Sequence, residues 1–85
     1  MQTIEVIKAV INSKHGWAVA DQFEDSYIYP NGGSAFEDQN YNALLYIRDS
    51  VRSILKGDVL NDDAKEELGD YYDDLENYLA DSSLK

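Results

Sequence analysis

The fold class of this chain turns on residues 17–38, WAVADQFEDSYIYPNGGSAFED. Within the first seven of them, alternation places one set of residues on one face and leaves Ala18, Ala20 and Gln22 on the other, which is typical of a strand: Trp17, Val19, Asp21 and Phe23. The segment DSYIYP, at 25–30, follows after a short polar break and is rich in residues that favour strands. These two segments predict two neighbouring β-strands.

The second half of the stretch predicts a turn and then a third strand. PNGG, at 30–33, is a strong turn signal because Asn and Gly adopt positive φ at little cost. SAFED, at 34–38, has two interpretations: it closes a three-stranded meander, or Ser34 and Glu37 form a capping box that begins the next helix. We favour the strand, because three strands are more stable on their own than a hairpin.

Helices are predicted on both sides of this stretch. Apolar residues recur at helical spacing before Gly16, then from about Asn40 to a C-cap at Gly57, and again over 62–80. The sequence therefore predicts one small α+β domain, residues 1–85, in the order α-βββ-αα. In this fold the helices cover one face of a three-stranded antiparallel sheet.

Composition and charge exclude several classes of function. The chain has no cysteine, which excludes disulfides and thiolate metal sites and fits a reducing cytoplasm. Its formal net charge of -10 argues against direct binding to nucleic acid or an anionic membrane, because phosphate contacts need Lys or Arg. We see neither the basic region of a signal peptide nor an apolar run long enough to span a bilayer. We therefore expect a cytoplasmic protein with no membrane partner and no direct nucleic-acid partner.

Acidic residues are concentrated on one side of the last predicted helix. At about 100° per residue, the apolar arc of this helix leaves most of the acids on the solvent side. The predicted partner-binding residues are Asp62, Asp63, Glu66, Asp70, Asp73, Asp74, Glu76, Asp81 and Tyr72. From Asp63 to Asp81 they span roughly 27 Å. Such a row of carboxylates either occupies a cationic groove built for DNA phosphates or only keeps the protein soluble.

No catalytic, metal or cofactor site is predicted. His15 is the only histidine, and its place near the end of the first helix indicates an interaction with the helix dipole. No segment has the spacing of a calcium loop or a P-loop. Arg48, Arg52 and Lys56 form a basic column at four-residue steps, which we interpret as a partner for Asp49 or for acids on an adjacent helix. We therefore do not expect an enzyme.

Two segments carry a resemblance to a known class of proteins: IRDSVRSILKGD, at 47–58, and DAKEELGDYYDDLENY, at 63–78. With the predicted order of elements, they resemble small acidic phage-encoded inhibitors that imitate DNA, including anti-restriction proteins, uracil-glycosylase inhibitors and anti-CRISPR proteins. The chain looks most like a type II anti-CRISPR protein, which has an N-terminal helix, a three-stranded meander and two helices. This resemblance implies a stoichiometric inhibitor that occupies the DNA-binding cleft of a nuclease such as Cas9, or of a restriction or repair enzyme.

Two other functions stay open. An immunity or antitoxin protein would cover the basic active site of one toxin nuclease, whereas an acidic adaptor would bind a host protein through exposed tyrosines. Duplex DNA of any sequence should displace the target of a DNA mimic, but an immunity protein should follow a single cognate toxin. Acids in the first half of the chain either extend the same surface or simply face water: Asp21, Glu24, Asp25, Glu37 and Asp38.

Overall fold

The computed structural model describes residues 3–28, 34–37 and 39–83, and these residues are almost entirely helical. The helices are α1 (Thr3–His15), α2 (Trp17–Ile28), the single-turn α3 (Ser34–Glu37), α4 (Tyr41–Lys56) and α5 (Asp62–Ser83). No strand occurs in the described part of the chain. The fold is therefore a small all-α domain.

The predicted α+β fold, with the order α-βββ-αα and a three-stranded antiparallel sheet, is wrong. The first predicted strand lies within α2, and so does the second as far as Ile28. The third predicted strand is also wrong, since Ser34–Glu37 forms α3. The predicted PNGG turn, at 30–33, and Asp38 lie outside the described residues.

The spacing of apolar residues within α2 explains the difference. Ala20, Phe23 and Tyr27 recur at steps of three and four residues and turn toward the core, where Ala20 and Phe23 are buried. A strand would have placed Trp17 beside Phe23 in the core, but Trp17 is 71% exposed. The alanine and glutamine residues between them are also good helix formers. The apolar residues of α2 therefore follow the helical period of about 3.6 residues and not the two-residue alternation that predicted a strand.

Gly16 forms the junction between α1 and α2. Its φ of 94° lies in the left-handed region, which favours glycine because it has no Cβ. The Gly16 N–H donates to the Asn12 carbonyl at 3.0 Å, and the Ala20 N–H donates to the Gly16 carbonyl at 3.3 Å. The predicted helix before Gly16 is confirmed as α1, with Lys14 and His15 in its last turn, where the helix dipole favours cations.

The last two helices are confirmed close to their predicted limits. The Asn40 side chain caps α4 by accepting a hydrogen bond of 3.2 Å from the Ala43 N–H. At the other end, the Gly57 N–H donates to carbonyls in the last turn. The Asn61 side chain caps α5 by accepting a hydrogen bond of 2.8 Å from the Ala64 N–H, and α5 extends somewhat past its predicted end.

The core brings one face of each long helix together. Its fully buried aliphatic and aromatic residues include Ile7, Ile11, Phe23, Leu44, Ile47, Val51, Leu68 and Leu75. Tyr71 adds a ring that meets Phe23 edge-on, with centroids 5.3 Å apart. The hydroxyl of Tyr71 lies 2.7 Å from that of Ser26, so this buried polar pair is satisfied internally. Because each large apolar side chain contributes ~1.5–3 kcal/mol when buried, α5 is held by its inner side.

Candidate functional site

Helix α5 separates its apolar and acidic side chains onto two faces. Its buried inner face consists of Ala64, Leu68, Tyr71, Leu75 and Leu79. On the other side, which we call the acidic face, the exposed acids are Asp62, Asp63, Glu66, Glu67, Asp70, Asp73, Asp74 and Asp81. The whole helix carries nine acids and one lysine, a formal charge of -8. The structure therefore brings together seven of the predicted partner-binding residues on one exposed surface.

Glu67 belongs to the acidic face although the sequence analysis did not select it. It lies at the border between the two faces, one helical turn before Tyr71 and close to Tyr27 of α2. The sequence indicated a broad apolar arc that included the tyrosines of α5, and Glu67 lies at the edge of that arc. Ala64 and Leu68 are buried at the centre of the inner face, and Glu67 lies to one side of them. The buried arc of α5 is therefore narrower than the sequence indicated, and Glu67 is exposed.

The acidic face is not neutralised by any ion pair among residues 3–28, 34–37 and 39–83. The ion pairs of this part of the chain are Lys8 with Asp21 and Glu24, Arg48 with Asp49 and Glu76, and Arg52 with Glu76. Like charges one turn apart on a helix destabilise it by a few tenths of a kcal/mol per pair. Asp62 and Asp63 are compensated by the helix dipole, because they lie in the first turn of α5. The acids further along the helix oppose folding slightly and have no ion pair in the described residues.

Glu76 and Tyr72, the other two predicted partner-binding residues, lie between α5 and α4. The Tyr72 hydroxyl accepts a hydrogen bond of 3.0 Å from Arg52 Nε, and this bond is the main cause of a raised pKa of Arg52. Glu76 Oε1 lies 3.6 Å from Arg52 Nη2 and 3.8 Å from Arg48 Nε. These distances make Glu76 an ion-pair partner without a hydrogen bond at that oxygen. The structure thus places Glu76 and Tyr72 in an internal contact.

The interpretation of the basic column is confirmed for two of its three members. Arg48 pairs with Asp49 at 3.3 Å as well as with Glu76, and Arg52 reaches the same glutamate. Lys56 continues the column one turn later, at the end of α4. On α5, Lys65 precedes Glu76 by three turns and lies on the same side of the helix. Of these cations, Arg48 and Arg52 lie at the boundary between α4 and α5, where both contact Glu76.

Two buried phenols lie behind the acidic face. Burial raises the pKa of Tyr27 to about 12, and the Glu67 carboxylate adds to this shift without reaching hydrogen-bond geometry. Burial also raises the pKa of Tyr71, although its hydrogen bond with Ser26 acts in the opposite direction. Both phenols are therefore neutral at physiological pH and add no charge to the surface.

The remaining surface differs from the acidic face. Lys8 partly neutralises α2, because its Nζ lies 3.1 Å from Glu24 Oε1 and 3.7 Å from Asp21 Oδ1. The side chains of His15 and Tyr46 stack with centroids 4.6 Å apart. Trp17, at the start of α2, is the most exposed of the large apolar residues described. The contacts of Lys8 and His15 join α1 to α2 and to α4. None of these features continues the row of unpaired carboxylates on α5.

The described residues offer no arrangement for metal chemistry. Nowhere among them do three or more His, Asp or Glu side chains form a group that could hold a metal ion. In the same part of the chain, no helix combines the length and the apolar character that crossing a membrane requires. The main feature of the candidate site is therefore the negatively charged outer surface of α5.

Comparison of the chain with family models, with curated proteins and with solved structures finds no match. A functional assignment therefore has to rest on the geometry and electrostatics of α5.

Proposed function

We propose that this protein is a stoichiometric inhibitor that imitates DNA and inserts the acidic face of α5 into the cationic cleft of a DNA-binding enzyme. The target is a nuclease such as Cas9, or a restriction or repair enzyme, as for the anti-CRISPR and anti-restriction inhibitors that the sequence resembles. The proposed place of action is the cytoplasm, which is that of the host cell if the protein is phage-encoded. It needs no cofactor and catalyses no reaction.

The charge density of the acidic face is the observation that supports this proposal. Its eight exposed acids lie between Asp62 and Asp81, a rise of roughly 28 Å at ~1.5 Å per residue. The mean axial spacing of these carboxylates is therefore about 4 Å, and a single DNA strand presents one phosphate about every 3.4 Å along the duplex axis. A cleft that binds one strand by its phosphates meets a similar density of negative charge on α5.

The rigidity of α5 favours binding over a flexible acidic tail. The helix has 22 residues, an N-cap at Asn61 and an inner face that is buried along its length. The carboxylates are therefore held near fixed positions before a partner arrives, which lowers the entropy cost of association. Long-range attraction between this surface and a basic cleft should also speed the encounter and make it sensitive to salt.

The charges of α5 support this proposal, whereas the predicted order of helices and strands does not. The three-stranded meander of a type II anti-CRISPR protein is not found in the described residues. Imitation of DNA depends on the spacing of charges and arises on unrelated folds. An all-α scaffold with one acidic helix is therefore compatible with the same function.

Capture of the target from bacterial lysate at low salt, followed by elution with nonspecific duplex DNA, tests the proposal. We expect one DNA-binding nuclease or repair enzyme to elute with DNA, because both ligands compete for the same cations. We also expect purified enzyme to lose DNA binding when one equivalent of this protein is added. A captured protein that duplex DNA does not displace would contradict the proposal that this protein imitates DNA.

An adaptor is the second candidate, and the exposure of Trp17 favours it. A tryptophan that is 71% exposed is a typical anchor for a protein interface. The variant Trp17→Ala separates the two functions, because it removes this anchor and leaves α5 unchanged. Loss of the captured partner in Trp17→Ala, with no effect of DNA, would identify an adaptor. An immunity protein would instead bind one toxin nuclease and no other DNA-binding enzyme.

A further inference from the structure

Gly69 lies in the interior of α5, where nothing in the described residues requires a glycine. A glycine in the middle of a helix is destabilising relative to alanine, because it loses more conformational freedom on folding. A Cβ added at Gly69 would meet no other atom within 4 Å, so close packing is not the reason for it. Among the described residues only Gly16 has a positive φ, so backbone conformation is not the reason either.

The other two glycines of the described residues have structural roles that Gly69 lacks. Gly16 has a φ of 94° at the junction between α1 and α2. Gly57 ends α4, where its N–H donates to the carbonyls of Ser53 and Ile54. Glycine is also favoured where another molecule closely approaches the backbone, because a Cβ would block that approach. Close approach from outside is therefore the reason for Gly69 that the structure leaves open.

The neighbours of Gly69 on the helix surface border a gap left by the missing side chain. On a helix the nearest side chains are those three and four residues away, here Lys65, Glu66, Tyr72 and Asp73. The Tyr72 hydroxyl already accepts a hydrogen bond from Arg52 Nε. Glu66 and Asp73 are exposed and have no ion pair in the described residues. The groups beside the gap that can accept from a partner are therefore two carboxylates.

A planar cation fits this gap better than a compact one. The guanidinium group of arginine is flat and weakly hydrated, and its paired donors match the oxygens of a carboxylate. It can lie against a helix backbone only where no Cβ projects. The ammonium group of lysine is a strongly hydrated point charge on a flexible stem, so it can reach Glu66 or Asp73 without touching Gly69. The missing side chain therefore favours arginine over lysine.

We propose that the partner comes closest to α5 at Gly69, where an arginine guanidinium of the partner lies flat against the backbone between Glu66 and Asp73. This proposal rests on the proposed function and adds the chemistry of one contact in the cationic cleft. The contact depends on free space at Gly69 as well as on charge. Neutral substitutions at this position therefore test it without changing the charge of the acidic face.

Two neutral variants, Gly69→Ala and Gly69→Gln, test the proposal with hexa-arginine and hexa-lysine peptides as defined probes. Binding is measured by calorimetry at low salt. We expect Gly69→Gln to bind hexa-arginine about fivefold more weakly than the wild type does, the effect of one exposed charge contact. Gly69→Ala should lose less, because a methyl group fills less of the gap. Hexa-lysine should lose less than hexa-arginine in Gly69→Gln.

A control variant and a stability measurement accompany these titrations. Asn77→Gln lengthens a neutral, exposed side chain about two turns further along α5, and it should bind both peptides as the wild type does. Both Gly69 variants should raise the unfolding temperature by roughly 3–8 °C, because alanine and glutamine are better helix formers than glycine. Weaker binding by a more stable protein cannot come from unfolding.

Three results would overturn the proposal. Unchanged binding of hexa-arginine to Gly69→Gln would show that no guanidinium group lies at this position. Equal losses in Gly69→Ala and Gly69→Gln would show that binding needs a flexible helix and not free space, because both residues stiffen α5. Equal losses of the two peptides in Gly69→Gln would exclude a preference for arginine. Failure of the proposed function is seen separately, in a captured target that duplex DNA does not displace.

Discussion

Helices α4 and α5 lie side by side and share a design, but they use their charges in opposite ways. Each begins with an asparagine cap and buries one apolar face. Helix α4 carries three cations and one acid, and most of these charges form ion pairs within the protein. Helix α5 carries nine acids and one lysine, and Glu76 is its only acid with an ion pair in the described residues.

The difference shows which charges the fold explains. Arg48 and Arg52 connect the two helices through Glu76 and Tyr72, so their presence follows from packing. Asp62 and Asp63 favour folding through the dipole of α5, but the six exposed acids further along the helix form no ion pair in the described residues, and their mutual repulsion opposes folding. A surface that lowers stability and forms no internal ion pair is best explained by a contact outside the molecule. Substitutions in the apolar faces of α4 and α5 should therefore have similar effects on stability, whereas substitutions in their charged faces should not.

The buried faces should give the largest effects, of similar size in both helices. Ile47→Ala in α4 and Leu75→Ala in α5 each remove a side chain that is 0% exposed. We expect each variant to lose about 2–5 kcal/mol of the free energy of unfolding, from lost burial and the cavity left behind. Urea unfolding followed by circular dichroism measures both. A much smaller loss for Leu75→Ala would show that α5 is not anchored as described, and the comparison would fail.

The contact between Tyr27 of α2 and the inner side of α5 should also control stability at high pH. The pKa of Tyr27 is raised to about 12 in the folded protein, from an ordinary value of 10.0. Because the folded state binds this proton more tightly, its contribution is complete below pH 10 and is lost as pH rises from 10 to 12. Urea unfolding at several pH values should show this decline, and Tyr27→Phe should make it shallower. An unchanged slope in Tyr27→Phe would contradict the burial of this phenol.

Charge reversal should have opposite signs on the two helices. Arg52→Glu breaks the contact with Tyr72 and places a second acid beside Glu76, so we expect a loss of about 1 kcal/mol of unfolding free energy. Asp70→Lys instead places a cation one turn from both Glu66 and Asp74, and we expect a gain of roughly 0.5 kcal/mol. Thermal unfolding at low salt compares the two. Destabilisation by Asp70→Lys would show that Asp70 serves the fold after all.

Salt should produce the smallest effect, and a stabilising one. Raising the ionic strength shortens the Debye length from about 30 Å at 0.01 M to about 3 Å at 1 M, which screens the repulsion along α5. We expect the free energy of unfolding in urea to rise by a few tenths of a kcal/mol for the wild type. The unfolding free energy of the variant Asp63→Asn, Asp70→Asn, Asp74→Asn should rise less, because part of the repulsion has already been removed. A stability that falls with salt would show that attractive pairs dominate the molecule.

The sequence predicted these two helices better than the chain before them. Asn40 and Gly57 are recognisable caps, and long periodic apolar faces leave little choice of structure. In α2, the alternation of Trp17, Val19 and Phe23 with smaller residues, interrupted only by an aspartate, resembled a strand. Only packing shows that Trp17 lies outside and Ala20 inside. A short segment of mixed apolar and small residues does not distinguish the two periods by itself.

The candidate site was predictable where it depends on one helix and not where it depends on two. Helical projection alone identifies Asp63, Asp70 and Asp74 as solvent-facing. The places of Glu76 and Tyr72 depend on the register between α4 and α5, which brings Arg52 to both of them. That register is a property of tertiary packing, so helical spacing within α5 does not contain it.

The central claim is that the acids of α5 serve binding and not stability. Its most direct test compares two variants of equal net charge: Asp70→Asn, Asp73→Asn, Asp74→Asn on α5, and Glu5→Gln, Asp25→Asn, Glu37→Gln at exposed acids elsewhere. The measurement is the affinity of each for the DNA-displaceable protein captured from lysate, with urea unfolding in parallel. We predict that the α5 variant loses at least about tenfold in affinity, or ~1.4 kcal/mol, without losing stability. The other variant should keep its affinity. Equal affinities for the two variants, or loss of the captured protein in both, would contradict the account.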